Sequence, residues 1–371
     1  MRLRVSRYVF FQWRDGQLIC DIPLHGRQVA LREPAWELLQ RLRDWVDPGT
    51  LDDPRRTLAE QLLGRRILVV EGSAEHRVEE ERNVWRRWGA AATHYHLAAR
   101  TDETTRYLSA AEDTLRLRDH AAVRPPPCRP ATGTLLPLPE PPPPVMDLAE
   151  ALRRRRTGRR LDPGRPVPLA ALAALLHWTA RPLHRVGLGD FGTAVLKAVP
   201  SAGSCHPIEV YPLVVNVAGI EPGIYRYAPG EHALEALPAA PPAGDELLRW
   251  CGDQTFVANA GVLLLYTAVL ERTAWKYPTG RSYGSLHLDL GHVSQNAYLV
   301  GTALGLGVFF TAATRDALVE EALGVSWTEE VFLGLTGVGV LTDEEARRQR
   351  AMADGGPAAF SSPADAWDGL G

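Results

Sequence analysis

The chain has 371 residues, with 41 Lys and Arg against 44 Asp and Glu and a formal net charge of -3. That balance excludes a nucleic-acid reader with a broad cationic face, so any basic site must be local. Four cysteines without CxxC spacing (Cys20, Cys128, Cys205, Cys251), no signal-peptide pattern and no uninterrupted apolar run of membrane-spanning length predict a soluble, cytoplasmic, two-domain protein without zinc or disulfides. From the N-terminus, the β-prone run Leu3–Trp13, a turn at Asp15-Gly16 and a strand over Gln17–Ile22 predict a hairpin. A strand near Gln28–Leu31 leads to Pro34, which suits the first turn of a helix with Trp36, Leu38, Leu39 and Leu42 on one face. A helix over Pro54–Leu63 stops at Gly64, the strand Arg66–Val70 follows, and a helical connector is expected over Ala74–Trp88.

Prolines dominate from Pro125 to Pro144, and the run Pro141–Pro144 allows only extended or irregular chain, so the domain boundary is placed here. Asp147 followed by Glu150 has the logic of a capping box and opens a helix over Leu148–Arg156. Next come a helix Pro168–Thr179, a strand Ile208–Val217, a hairpin around Pro229-Gly230 and a strand Gly261–Val269. The segment Leu286–Leu304 is apolar nearly all round and predicts a long buried helix, before a last strand over Val331–Val340. From Thr342 the chain turns polar and then rich in small residues, as in a helix that frays into disorder. The expected division is a small α/β domain with a helical connector over 1–120, a proline-rich linker over 121–146, a main domain over 147–341 and a tail over 342–371.

Three constellations could carry chemistry. Six arginines between Arg153 and Arg160 surround Thr157 and Gly158 at a predicted helix end; guanidinium forks and a hydroxyl suit a phosphomonoester, although a solvated basic helix end accounts for the run equally well. The small-residue turn Pro200-Ser201-Ala202-Gly203-Ser204 lets backbone approach a flat ligand, yet such a turn also serves as an ordinary entry to a strand. Lys276-Tyr277 gives two groups able to exchange protons if a dry cavity lowers the lysine pKa, and without that context it is a surface lysine beside a half-buried tyrosine. The pair His94 and His96 is read as structural rather than metal-binding, and Cys205 as packing.

Taken in order, these motifs make the stretch from Asp147 to Val340 resemble the nitroreductase fold, and specifically the SagB-type azoline dehydrogenases. Arg155-Arg156-Thr157-Gly158-Arg159 is similar to that family's flavin-phosphate motif with threonine for serine, and Pro200-Ser201-Ala202-Gly203 to its flavin-facing turn. Gly223-Ile224-Tyr225-Arg226-Tyr227 resembles its sheet hairpin, Gly291 to Gly307 its central helix, and Lys276-Tyr277 the motif associated with azoline oxidation. The N-terminal module resembles the winged-helix-like peptide-recognition domain these enzymes carry, and a plain packing domain fits its elements equally well. Departures from the pattern are Ala312 where glycine is usual, Thr314 for a common aromatic, the missing basic residue at Gly339–Leu341, and a longer, less basic segment from Pro278 to Gly284.

The resemblance implies an α+β fold, a central mostly antiparallel sheet flanked by helices, with FMN at a homodimer interface. It assigns the phosphate to Arg155, Arg156, Thr157 and Arg159, and the ring to Pro200, Ser201, Ala202, Gly203 and Ser204 of a partner copy together with Ala312 and Ala313. The implied reaction oxidises thiazoline or oxazoline rings of a ribosomally made peptide, with hydride going to flavin N5, Lys276 and Tyr277 handling the proton, and dioxygen reoxidising the flavin. A cyclodehydratase is the implied partner. The competing readings are an NAD(P)H-dependent nitroreductase or flavin reductase, a non-catalytic peptide-binding scaffold, and a related flavoenzyme with another substrate.

Overall fold

A computed structural model describes residues 1–80, 85–101, 103, 105–119 and 124–355. The chain divides into two compact units, Met1–Tyr107 with Thr279–Arg281, and Leu108–Pro278 with Ser282–Gly371. In the first unit, strands Phe10–Arg14, Gln17–Ile22 and Arg27–Leu31 form an antiparallel sheet in that order. The turn between the first two places Asp15 and Gly16 at φ of 50° and 76°, the left-handed pair that a tight hairpin requires. The predicted single strand Leu3–Trp13 divides: Leu3–Val5 pairs instead with Leu68–Val70 in a separate sheet. The break falls at Ser6 and Arg7, where the Ser6 hydroxyl and the Arg7 amide both donate to Glu79, a partner more than 70 residues away. Helices Glu33–Arg41 and Asp53–Gly64 carry Leu38, Leu39 and Leu62 onto Leu3, Cys20, Ile22 and Ile67. The predicted connector corresponds to the helix Ala74–Glu80 and the start of a second helix, Trp85–Ala99; residues 81–84 lie outside the described residues.

The second unit is built on a seven-stranded sheet in the order Leu306–Thr311, Glu330–Val340, Val262–Val269, Ile208–Val214, Gly223–Ala228, Ala233–Ala236, Leu135–Pro137. Every pairing is antiparallel, and helices flank the sheet, which is the α+β architecture the sequence predicts. Successive side chains on a strand point to opposite faces, so the continuous apolar run from Val262 to Tyr266 serves two cores at once. Val262, Leu264 and Tyr266 pack with the helices Leu169–Ala180 and Tyr283–Ala303. Leu263 and Leu265 pack on the other face with Trp250, Val319 and Phe309. Each such fully buried leucine contributes about 1.5–3 kcal/mol relative to an exposed one.

Three features differ from the sequence reading. The proline-rich stretch is extended, but from Arg124 onward it is part of the second unit and supplies the sheet's last strand. Proline has no N–H and fixes φ, so this stretch offers mostly carbonyls, and buried arginines of one strand (Arg226) and of the short helix Leu270–Ala274 (Arg272) meet them. Arg272 donates to Pro126 O at 2.9 Å and Arg226 to Pro130 O at 2.9 Å, while Arg129 pairs with Glu330. Arg226 also pairs with Glu235, which accepts from the Thr132 amide at 2.9 Å and hydroxyl at 2.8 Å. Burial by itself would raise the Glu235 carboxyl, but these donors bring it down to about 2. Second, the long helix Tyr283–Ala303 is buried along Leu286, Asp289, Leu290, Val293 and Ala297, yet open along His287, Leu288, Gly291, His292 and Gln295 within one chain. Third, a hairpin of Pro182–Gly187 and Thr193–Lys197, a helix Ala110–Asp119 and the edge strand Leu306–Thr311 are additions to the predicted elements. The last helix, Asp343–Asp354, is capped by the Thr342 hydroxyl at 3.3 Å from the Glu345 amide; the rest of the predicted tail, from 356, lies outside the described residues. Among the described residues no helix is long and apolar enough to cross a membrane.

Candidate functional site

The arginine run begins where Asp147 accepts from the amides of Ala149 and Glu150, at 3.0 and 3.2 Å, and starts the helix Leu148–Arg154. Glu150 then turns to Arg153 and Arg154 instead of closing a capping box. Arg160 reaches Glu344 at 3.8 Å, so three of the six arginines have carboxylates on the chain. Arg155, Arg156 and Arg159 are half-buried and pair with no carboxylate among the described residues. The Arg155 guanidinium lies over the Tyr298 ring at 5.4 Å and that of Arg159 over Phe256 at 5.2 Å, a cation–π contact that orients each head. The Nε atoms of Arg156 and Arg159 are buried without a partner, a loss of about 1–3 kcal/mol per group unless an acceptor arrives. Thr157 Oγ1 sits 3.3 Å from Tyr298 Oη, and that oxygen accepts from the Phe310 amide at 2.9 Å. The Gly158 amide donates to Val308 O at 2.8 Å, laying the run along the edge strand. An anion with several oxygens is the kind of group that would satisfy those two buried Nε donors.

The turn Pro200–Ser204 follows the strand Thr193–Lys197 and contains two successive left-handed residues, Gly203 and Ser204, each at φ of 56°. Ser204 holds that conformation by donating its hydroxyl to Val195 O at 2.8 Å, and its own carbonyl accepts from Arg124 at 2.7 Å. Gly203 is needed twice over, for its φ and for space. A Cβ there would stand 2.8 Å from both Cδ and Nζ of Lys276 and nearer still to the Tyr277 hydroxyl. Lys276 Nζ donates to Gly203 O at 3.4 Å, so two motifs 73 residues apart in sequence form one cluster. Arg116, itself held by Asp113, donates to the Lys276 carbonyl at 2.7 Å, and Ser282 to the Tyr277 carbonyl at 2.6 Å. Burial raises the Tyr277 phenol, helped by Cys205 and Asp113.

Beneath the turn lies a residue the sequence reading does not single out. Asp289, on the buried side of the long helix, accepts from the Ser201 hydroxyl and from the Ala202 amide at 3.3 Å, while Ser201 Oγ accepts from the His206 amide at 2.8 Å. A carboxylate among the apolar positions of a buried helical face is the signal that would have found it. The same helix steadies the approach to the turn, with His292 Nδ1 3.2 Å from Pro200 O and Asn296 donating to Ala198 O at 3.4 Å.

Antiparallel pairing brings the relevant strand ends to one end of the sheet, with Ile208 opposite Ala268 and Val269 opposite Glu330. Ala312 and Ala313, both exposed, follow the last residue of the edge strand, where Thr311 faces Leu335 and accepts from the Ala313 amide at 3.1 Å. The predicted residues thus gather in two places. Pro200–Ser204 joins Lys276 and Tyr277 at the strand Ile208–Val214, whereas Arg155–Arg159 and Ala312–Ala313 belong to the edge strand, three strands away. At ~4.8 Å per strand that is roughly 14 Å. His94 pairs with Asp21 and stacks on Phe10 at 4.1 Å, and His96 stacks on Trp85 at 4.4 Å. Among the described residues no group of three or more His, Cys, Asp or Glu is arranged to hold a metal ion.

Comparison with known proteins follows the same outline. The nitroreductase family profile matches residues 152–340. A protein of Methanocaldococcus jannaschii named as a nitroreductase is 38% identical over 150 residues, 40% of this chain and 75% of that protein. The trifolitoxin-processing protein TfxB of Rhizobium leguminosarum bv. trifolii is 32% identical over 162 residues, 42% of each chain, so less than half of that relative's length is spanned. In fold, the chain is similar to the crystal structure of a nitroreductase from Anabaena variabilis, with a TM-score of 0.50 at 22% identity over 69% of this chain and 47% of that one.

Proposed function

Because the chain belongs to the nitroreductase family, we propose that it is an FMN-dependent oxidoreductase that converts thiazoline or oxazoline rings of a peptide into thiazoles or oxazoles. The observation that carries this reading is the seat of Lys276 and Tyr277 on Gly203, a proton-handling pair placed against the turn that would edge a flat ring. The site residues fit the cofactor. Arg155, Arg156 and Arg159 have no carboxylate among the described residues and two buried Nε donors without partners, so with Thr157 they suit a phosphate tail. Pro200, Ser201, Ala202, Gly203 and Ser204 would line one side of the ring and the backbone of Ala312 and Ala313 another.

Bound FMN supplies a two-electron acceptor that dioxygen can regenerate. Aromatising an azoline removes two hydrogens, one as hydride and one as a proton, and Lys276 takes or relays that proton with Tyr277. Arg116 and Gly203 fix the lysine from both ends, which holds its amine in one place relative to the substrate carbon. A homodimer completes the site in this reading, with the arginine run of one copy meeting the turn of the other. The face of the long helix left open within one chain, with His287, Leu288, Gly291, His292 and Gln295 exposed, is where the second copy would pack in this reading. The likeness to a trifolitoxin-processing protein supports a peptide substrate; in this reading the first unit recognises that peptide and a cyclodehydratase is the partner that makes its azolines.

The test starts with the absorption spectrum of the purified protein, in which the bands of oxidised flavin are expected, and with identification of FMN after heat release. Supplied with a thiazoline-containing peptide and dioxygen, the protein should form thiazole without any nicotinamide donor. Lys276→Ala should keep FMN and lower azole formation by about 10²–10⁴-fold. Full activity in that variant removes Lys276 from the mechanism. The family and the archaeal relative's name also favour a second reading, an NAD(P)H-dependent nitroreductase. Steady NAD(P)H oxidation with a nitroarene, and none with the azoline, would establish that one instead.

A further inference from the structure

Asp289 is 4% exposed, on the side of the helix Tyr283–Ala303 that otherwise buries Leu286, Leu290 and Val293. A carboxylate in such a place opposes folding unless donors compensate it, and an apolar residue would serve the packing better. Among the described residues no cation pairs with it. Its hydrogen bonds go to the Pro200–Ser204 turn: Oδ2 accepts from the Ser201 hydroxyl and Oδ1 from the Ala202 amide at 3.3 Å. Burial raises the carboxyl, and these two donors from the turn are foremost among the groups that draw it back down. The acid therefore serves the turn more than the helix that carries it.

An account of the turn's donors shows what that service leaves over. Ser201 has a single hydroxyl proton, and it is committed to Asp289, while Oγ accepts from the His206 amide at 2.8 Å. The Ser204 amide donates to Ser201 O at 3.0 Å and the Cys205 amide to Ala202 O at 3.1 Å. With the Ala202 amide on Asp289, the amides of Ala202, Ser204, Cys205 and His206 are all engaged. Those of Ser201 and Gly203 have no partner among the described residues, and both residues are half-buried, so their backbone can be reached from outside. The same bonds stabilise an unfavourable backbone. Ser204 and His206 hold left-handed φ of 56° and 46°, which non-glycine residues keep only where their surroundings over-determine it.

We propose that Asp289 is a positioning residue for the cofactor: by taking the Ser201 hydroxyl and the Ala202 amide, it holds the turn so that the amides of Ser201 and Gly203 are the donors left for the carbonyl oxygens of the FMN ring. This rests on the flavin reading above. The Ser201 side chain is then a brace, and the turn meets the ring through its backbone. Asp289 acts only through Ser201 and Ala202.

The test uses the full-length protein with Asp289→Leu, Asp289→Asn, Ser201→Ala and the double variant of Asp289→Leu with Ser201→Ala. FMN affinity is read from quenching of flavin fluorescence, at a temperature where flavin-free melting shows the chains folded, together with the visible absorption maximum of the bound flavin. Asp289→Leu and Ser201→Ala should each weaken FMN binding about tenfold, the worth of one charge-assisted hydrogen bond, and should move the absorption maximum. Asp289→Asn keeps an acceptor for the Ala202 amide and should fall between wild type and Asp289→Leu. The double variant should bind no more weakly than the poorer single one, because both substitutions break the same brace. Ser201→Ala leaves the buried helix intact, so it and Asp289→Asn decide the matter where Asp289→Leu does not fold. Unchanged affinity and spectrum in the folded single variants, even with a lower melting temperature, overturns the proposal, since Asp289 would then be structural alone. Losses that add in the double variant overturn it too, because Ser201 would then meet FMN on its own account. A wild-type protein that binds no FMN overturns the flavin reading itself, and is told apart from the other results because there the wild type binds.

Discussion

Arg226 and Arg272 are buried like core residues, at 6% and 4% exposure, and each has a glutamate against it, Glu235 and Glu209. Arg155, Arg156 and Arg159, in the same unit, lie half-buried, two of them with the guanidinium over an aromatic ring and none paired with a carboxylate among the described residues. The same side chain is therefore used in two ways. Where the chain supplies the counter-charge, the guanidinium fastens backbone, here the acceptor-rich proline stretch. Where it supplies none, the guanidinium has only backbone or aromatic neighbours, as with Arg156, whose Nη1 donates to the Arg153 and Arg155 carbonyls at 2.9 and 2.7 Å, and an external anion is the counter-charge the proposed function gives it. Partner content, more than charge density, separates a fastening from a site.

The largest effect should come from breaking a fastening. Arg226→Met leaves Glu235 buried beside Thr132 without its cation, and should lower stability by about 3–5 kcal/mol in urea unfolding. FMN bound per folded chain should stay unchanged. Next, Gly203→Ala places a methyl group into Lys276 and Tyr277, and should reduce azole formation about 10²-fold through displacement of the pair, with a smaller change in FMN content. A site arginine behaves in the opposite sense to a fastening. Arg159→Ala should weaken FMN binding by about 1.5–3 kcal/mol in fluorescence titration while leaving the flavin-free melting temperature unchanged or raised. The smallest effect concerns acid. Glu235 has a folded pKa depressed to about 2 from 4.5, so its stabilisation is complete above the unfolded value and is lost as pH falls toward 2. The stability gap between wild type and Glu235→Gln should narrow through that window, measured as urea midpoints from pH 5 to 2.

Much of the fold can be read locally, because its causes are local. Asp15-Gly16 announces a hairpin, Pro34 and Asp147 announce helix starts, and the run from Val262 to Tyr266 announces a strand covered on both faces. What cannot be read depends on distant partners. Glu79 ends the first strand at Ser6, and buried Arg226 and Arg272 turn a proline linker into part of a domain. The open side of the long helix is equally hidden, since His287, Leu288, Gly291, His292 and Gln295 stand among apolar neighbours in the sequence and nothing local tells which side the chain covers. Within the candidate site, motif order makes the arginine run, the turn and the Lys-Tyr pair visible. Their distribution over two places, and the hold of Asp289 on Ser201 and Ala202 behind the turn, emerge only from the sheet's register and the side-chain hydrogen bonds.

The proline stretch has one more consequence, for solubility of the sheet. A β-sheet ends in rows of unused donors and acceptors that invite another chain to join, and natural proteins blunt those margins. Here one margin finishes in Leu135–Pro137, a three-residue strand whose last member has no amide hydrogen, with more prolines just downstream. The other is screened where Gly158 gives its amide to Val308. The backbone that carries the arginine run therefore also shields the sheet against growth by aggregation, and substitutions that loosen it should raise the tendency to polymerise as well as weaken ligand capture.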